Sequence, residues 1–255
     1  MPEGHIIHRT ARKHKKYLSG QCLKVTSPQK KFITGARELN RSHCSSVEAH
    51  GKHLFYFFGN DKVLHIHLGL FGRIKTQNIP PKTPKGAVRI RLISNTHVVD
   101  INGPTICEIQ DNKAFSKTIN RIGPDLLRTD SDPEKFENRV LKSRRSISAL
   151  LMDQSVISGI GNIFRTEILW RQKLHPLSKG NRLSSSKIRL LWDDGKRLLS
   201  QAAKTGKINT KSISNKKKED VNIYKRQFCP SCKSCIEIIL IEKRSCYYCS
   251  KCQRW

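Results

Sequence analysis

Leu151-Met152-Asp153-Gln154-Ser155-Val156-Ile157-Ser158-Gly159-Ile160-Gly161-Asn162-Ile163-Phe164-Arg165-Thr166-Glu167-Ile168-Leu169-Trp170 decides how the middle of the chain is read. Apolar residues recur at helical spacing on both sides of Ser158-Gly159-Ile160-Gly161, which predicts helices over 147–156 and 162–172 joined by a tight glycine turn. Backbone N–H groups at the start of the second helix, with the Asn162 side chain beside them, suit a phosphate oxygen. A plain helix–helix turn would want the same glycines, so charge has to decide. Lys and Arg number 49 against 20 Asp and Glu, a formal charge of +29 on 255 residues with a pI near 10.1. That excess points to a polyanionic partner, nucleic acid first, and favours phosphate binding at the turn.

Toward the carboxyl end, a further helix is expected after Ser184–Ser186, stopping at Gly206. The stretch 207–220, with Lys216-Lys217-Lys218, reads as a basic, solvated loop. Six of the nine cysteines then fall in the last 27 positions. Cys229-Pro-Ser-Cys232 and Cys249-Ser-Lys-Cys252 are two C-x-x-C knuckles separated by 16 residues, the spacing of a tetrahedral zinc site. Cys235 and Cys246 compete as ligands. The outer pairs are preferred because 236–241 then forms the first strand of a hairpin. A disulfide framework would require secretion, and an iron–sulfur site lacks its closing C-x3-C-P. One structural zinc per chain would hold a segment too small to fold by itself.

Toward the amino end, residues 1 to about 120 read as strands after one helix. Ile7, Ala11, His14 and Leu18 share a helical face before Gly20, with Pro2 at the first helical position. Strands are expected over 52–58, 63–70 and 87–93, and 78–85 is a proline-rich loop. In the last strand Val88, Ile90 and Leu92 alternate with Arg89 and Arg91, implying a wet, basic face. His65 and His67 share a strand face as partly exposed histidines, and Cys22, Cys44 and Cys107 read as small core residues. No apolar run reaches membrane length, and the start lacks a signal-peptide core, so a soluble cytoplasmic protein is expected. With Met1 removed, Pro2 would present a secondary amine at a helix start. The pKa of an α-amine is about 7.7–8.0, and the helix dipole favours its neutral form. Such an amine can attack a sugar carbon, with the adjacent Glu3 moving protons.

Met1-Pro2-Glu3-Gly4, Gly51-Lys52-His53-Leu54, His67-Leu68-Gly69-Leu70-Phe71-Gly72, Arg121-Ile122-Gly123-Pro124-Asp125, the Leu151–Asn162 stretch, Glu167-Ile168-Leu169 and Cys252-Gln253 stand in this order along the chain. Together they resemble the formamidopyrimidine-DNA glycosylase/endonuclease VIII family, and Phe164–Trp170 is closer to the endonuclease VIII branch. The resemblance implies an α+β fold: an N-terminal β-sandwich with a leading helix (1–120), a helix-two-turn-helix domain (130–215) and a C-terminal zinc-finger hairpin (220–255). It implies a bifunctional DNA glycosylase/AP lyase of base excision repair, acting as a monomer on oxidised bases, pyrimidines foremost, in damaged double-stranded DNA. It is expected at the nucleoid if the source is bacterial, with no membrane partner. Pro2 corresponds to the Schiff-base nucleophile, Glu3 to the acid assisting base departure, and Lys52 to an acid–base lysine. Arg244 corresponds to the finger arginine of β,δ-elimination, and Asn162 and Arg121 to phosphate contacts. Gly69, Leu70 and Phe71 correspond to the loop filling the vacated stack. Asn102 stands where the family often has an arginine that reads the opposite strand. The rival is a non-catalytic nucleic-acid-binding zinc protein of the same fold, against which Pro2, Glu3 and Lys52 argue. A zinc-ribbon accessory factor would leave 1–120 surplus.

Overall fold

The computed structural model describes residues 2–59, 61–211 and 220–255, and these divide into two compact units. One comprises Pro2 and Ile7–Asn120, the other Glu3–Ile6 and Arg121–Trp255. Among the described residues no helix is long and apolar enough to cross a membrane.

In the first unit, helix α1 (Gly4–Leu18) buries Ile7, Ala11, His14 and Leu18 on one face. It begins two residues after Pro2, so Pro2 is not its first helical residue. Gly20 follows in the left-handed region (φ 79°), where the missing Cβ removes the steric penalty and stops the helix. The elements that follow are β1 (Gln21–Cys22), β2 (Lys24–Thr26), α2 (Ile33–Leu39), β3 (His43–His50), β4 (His53–Phe58), β5 (Lys62–His67), β6 (Arg73–Asn78), β7 (Val88–Ile93), β8 (His97–Asn102), β9 (Ile106–Gln110) and α3 (Asn112–Arg121). They build a five-stranded sheet, β1-β3-β4-β5-β9, and a four-stranded sheet, β2-β7-β8-β6. Leu54, Tyr56, Leu64 and Ile66 of the first sheet pack in one core with Ile90, Leu92, Val99 and Ile101 of the second. That shared core makes the unit a sandwich.

Three expectations here need correction. Arg91 is buried, not wet, because both Asp100 carboxylate oxygens accept from its guanidinium at 2.6 and 2.7 Å. Sequence alternation gives the face of a strand but not the partner across it; here a bidentate acid lets an arginine occupy the interior. His65 is 2% exposed rather than partly exposed. Cys22 is exposed, whereas Cys44 is buried and Cys107 half-buried.

In the second unit α4 (Pro133–Leu141), α5 (Ile147–Met152), α6 (Asn162–Arg171) and α7 (Ser185–Thr205) surround Phe136, Leu151, Ile157, Phe164, Ile168, Leu191 and Leu199. Helix starts use side-chain caps: Asp132 accepts from Glu134 N–H, Ser146 from Ala149 N–H, and Ser184 from Lys187 N–H. Gly206, left-handed at φ 78°, ends α7 as the sequence indicates. Helix α5 stops at Met152 rather than near 156 because Asp153 leaves the helical region. Its Oδ1 accepts from both the N–H and the hydroxyl of Ser155, at 2.9 and 2.6 Å, a local turn that competes with the helix. The segment after Gly206 is not simply a solvated loop. Ile208 and Thr210 are buried, and Asn209 bridges Asp220; Lys216-Lys217-Lys218 lies outside the described residues. The chain ends in the hairpin β10 (Glu237–Ile241) and β11 (Arg244–Tyr248), registered from Glu237–Tyr248 to Ile241–Arg244.

Candidate functional site

Glu3 is 1% exposed and lies against the amino terminus of α6. Its two carboxylate oxygens accept the backbone N–H of Gly161 and of Ile163, each at 3.0 Å. Negative charge there meets unpaired amide dipoles, which is favourable. The approach depends on missing side chains: a Cβ on Gly161 would collide with the Glu3 carboxyl, and one on Gly4 would stand 2.7 Å from Gly159 Cα. Gly4 N–H also donates to the Gly159 carbonyl at 2.8 Å. The glycine turn therefore receives the amino-terminal acid of this same chain. Two of the amides expected to face a phosphate are engaged by Glu3, a correction that no local pattern contains because the partners lie about 160 residues apart.

Asn162 turns its amide toward the finger and donates from Nδ2 to the Ser245 carbonyl at 3.0 Å. Arg165, 1% exposed, donates to that same carbonyl at 2.9 Å and to Asn162 Oδ1. Burial, the leading cause, lowers the pKa of the Arg165 guanidinium. Ser245 immediately follows Arg244, so Glu3, Asn162 and the backbone beside Arg244 gather around the start of α6 within this unit. Arg121, at the end of α3, instead lines an open cleft of about 450 Å³ with Arg139, Lys142 and Arg145, where Asp153 is the one acid.

The remaining expected residues belong to the first unit. Pro2 is half-buried and precedes Glu3 directly. Lys52 is not on a strand; with Gly51 it forms the two-residue turn between His50 and His53. Beside it, His53 Nδ1 and His65 Nε2 are 2.8 Å apart, and His65 Nδ1 lies 3.0 Å from Glu108. Burial foremost, then nearby His67, His65, His50 and Lys52, pushes His53 down to about 3; burial likewise leads in lowering His65 and His67. These histidines form a neutral wall near Lys52. Gly69, Leu70 and Phe71 fall in the turn after β5, closed by Gly72 N–H to the Leu68 carbonyl at 2.9 Å. A Cβ on Gly69, at φ 63°, would strike Thr105. Leu70 is 49% and Phe71 87% exposed, apolar side chains offered to solvent with nothing in this unit covering them. Asn102 closes β8.

Cys229, Cys232, Cys249 and Cys252 bring their sulfurs within 4.8 Å of one another, a set that could hold a metal ion. The pairs Cys229–Cys252 and Cys232–Cys249 are 3.8 and 3.4 Å apart, near the ~3.8 Å separation implied by tetrahedral Zn–S bonds of about 2.3 Å. Hydrogen bonds from Ser234 lead in drawing Cys232 down to about 6, while burial and then the other cysteines push Cys252 up to about 12. Held together as thiolates, the four would call for a compensating cation. Trp170 Nε1 donates to Cys229 Sγ at 3.4 Å. Cys235 is exposed and Cys246 buried on β11; neither joins the cluster.

Sequence reasoning missed one anchor. Glu167 is fully buried and accepts from the Thr210 hydroxyl, from Asn222 N–H and Nδ2, and from the N–H groups of Ile223 and Tyr224, at 2.5–2.9 Å. An acid amid the apolar positions of α6 was the available signal.

Residues 1–116 match the formamidopyrimidine-DNA glycosylase N-terminal domain and residues 122–214 the formamidopyrimidine-DNA glycosylase H2TH domain. A Mycobacterium tuberculosis protein named Endonuclease 8 1 is 35% identical over 271 residues, covering 99% of this chain and all of the relative (100%). Endonuclease 8 of Pectobacterium atrosepticum is 29% identical over 268 residues, covering 99% and 100%. A crystal structure of Lactococcus lactis Fpg in complex with DNA containing N7-benzyl-Fapy-dG aligns with a TM-score of 0.84 at 23% identity, covering 100% of both chains.

Proposed function

The chain belongs to the formamidopyrimidine-DNA glycosylase/endonuclease VIII family, and from that premise we propose that it is a DNA glycosylase with AP-lyase activity in base excision repair, working through Pro2 on oxidised bases, pyrimidines foremost. The observation that carries this is the Glu3 carboxylate, fixed by two backbone amides at the head of α6 and joined directly to Pro2 in the chain. A free amine on Pro2 attacks C1′ of an everted nucleotide, the glycosidic bond breaks, and the base leaves with a proton that Glu3 is placed to relay. The sugar ring opens to an iminium on the Pro2 nitrogen. Loss of a C2′ proton then expels the 3′ phosphate by β-elimination, and a second proton loss expels the 5′ phosphate by δ-elimination. Lys52 serves as acid and base in these steps, beside His53 and His67.

Arg244, Asn162 and Arg121 grip backbone phosphates of damaged duplex DNA, and the charge of +29 supports such a partner. Everting a base costs a few kcal/mol and leaves a hole, which exposed Leu70 and Phe71, turned outward at Gly69, are suited to fill. Zinc held by Cys229, Cys232, Cys249 and Cys252 supplies structure to the finger. The protein acts as a monomer in the cytoplasm, at the nucleoid in a bacterium. The non-catalytic alternative is not favoured, since relatives named Endonuclease 8 match over their full length.

Borohydride reduction on an oligonucleotide with one abasic site tests the reading. Wild type is expected to become covalently linked to DNA through its amino-terminal peptide, and Pro2→Gly to lose that link through the ring nitrogen. A wild-type protein with a free Pro2 amine that never traps would overturn it. Duplexes carrying thymine glycol, dihydrouracil or 8-oxoguanine then rank the lesions.

A further inference from the structure

Arg244 follows a two-residue turn that its own sequence does not favour. Glu242 (φ 49°) and Lys243 (φ 64°) both occupy the left-handed region, the pattern of a type I′ turn, for which Asn-Gly is the preferred pair. Side chains outside the hairpin hold it in place. On the outer side Arg145 donates to Glu242 at 2.7 Å and to Asp153 at 2.6 Å, linking the turn to the loop after α5. On the inner side the Ser245 carbonyl accepts from both Asn162 and Arg165. Arg165 is 1% exposed, makes no ion pair among the described residues, and leaves its Nε without a partner. Burying a guanidinium so incompletely satisfied is unfavourable for stability, and here it holds the backbone carbonyl next to Arg244. Ile241 and Cys246 pack with Ala149 of α5, and Ser148 lies 3.5 Å from the Cys246 sulfur, so the strand residues near the turn are seated as well.

We propose that Arg165 and Arg145 are positioning residues for Arg244, gripping the finger turn from the inner and outer sides so that its guanidinium meets the phosphate expelled late in strand cleavage. This rests on the role proposed for Arg244. Neither arginine touches the reacting atoms. Their loss misplaces the finger while leaving the amine chemistry at Pro2 intact. The expected signature is a split between two products: the β-eliminated end, which keeps a sugar remnant, and the δ-eliminated end, a bare 3′ phosphate.

The experiment follows a labelled abasic duplex under single-turnover conditions with wild type, R165Q, R145A, R145A/K243G and R244Q. Zinc content is verified for each, and borohydride trapping is measured in parallel. R165Q is expected to lower the δ-to-β ratio about 10-fold, and R145A, at an exposed pair, about 2- to 5-fold. Trapping by both stays within about 2-fold of wild type, since neither side chain touches the reacting atoms and distant sites act independently. In R145A/K243G a glycine suited to the turn restores the ratio. R145A and its rescue decide the matter alone should R165Q fail to fold. A lowered ratio in R244Q together with wild-type ratios in R165Q and R145A overturns the positioning role. A wild-type ratio in R244Q itself instead overturns the role of Arg244.

Discussion

Lys52 and Arg244 each sit at a two-residue hairpin turn, one between β3 and β4, the other between β10 and β11. The first turn places glycine at its first position, Gly51 at φ 57°, as a type II′ turn demands, and it is framed by a sheet with a large apolar core. The second turn puts two ordinary residues in a conformation that costs each about 1–2 kcal/mol, on a hairpin of two five-residue strands. Two isolated strands are marginal in water, so the second turn exists only through what lies outside it. The cysteine cluster, the Arg145 and Arg165 grips and the Glu167 anchor supply that support. A cation can thus be aimed by its own backbone or by distant partners, and only the first arrangement is local.

The largest expected effect separates the two turns by metal. Structural zinc contributes about 10–16 kcal/mol. Chelation should therefore abolish hydrogen-exchange protection over 229–252 while the 50–53 turn keeps its protection. Equal loss at both turns would contradict the distinction. Next, Lys52→Met should slow strand cleavage at a preformed abasic site by about 10²–10⁴-fold, the range for a proton-transferring side chain. Single-turnover rates with unchanged DNA affinity check it; a phosphate-gripping role alone would weaken binding instead.

The third effect is acidity. His14 and His53 are both depressed to about 3, chiefly by burial, below the ordinary 6.5, and His65 and His67 are also lowered. A base with a depressed folded-state pKa takes up more protons when unfolded. Its contribution is therefore whole above pH 6.5 and is lost as the pH falls toward 3. Protection factors against hydrogen exchange over 43–67 should fall in that window, with a weaker pH dependence in His53→Phe. The smallest effect is a pair of opposite sign. Gly51→Ala should destabilise by about 1–2 kcal/mol, and Lys243→Gly should stabilise the finger by about 0.5–1 kcal/mol. Local exchange rates at each turn decide it, and two shifts of the same sign would refute the contrast.

What was legible in the chain is what is local. The C-x-x-C knuckles, the α1 face through Ile7, Ala11, His14 and Leu18, and the Ser184 and Gly206 ends of α7 rest on spacings within a few residues. Arg91 against Asp100, Glu3 against Gly161, and Glu167 against the 220–224 segment were not legible, because each joins positions that only the assembled fold brings together. Leu70 and Phe71 show the intermediate case. The strand was read one turn too far, and only Gly69 in its left-handed conformation makes the two side chains a projecting pair.

Glu167 has a consequence for assembly order. By holding the amides of Asn222, Ile223 and Tyr224, it moors the chain to α6 five residues short of the first knuckle, Cys229. A metal-free polypeptide with this mooring has little slack left between α6 and its first sulfur, so ion capture becomes a short-range closure instead of a search by a long free tail.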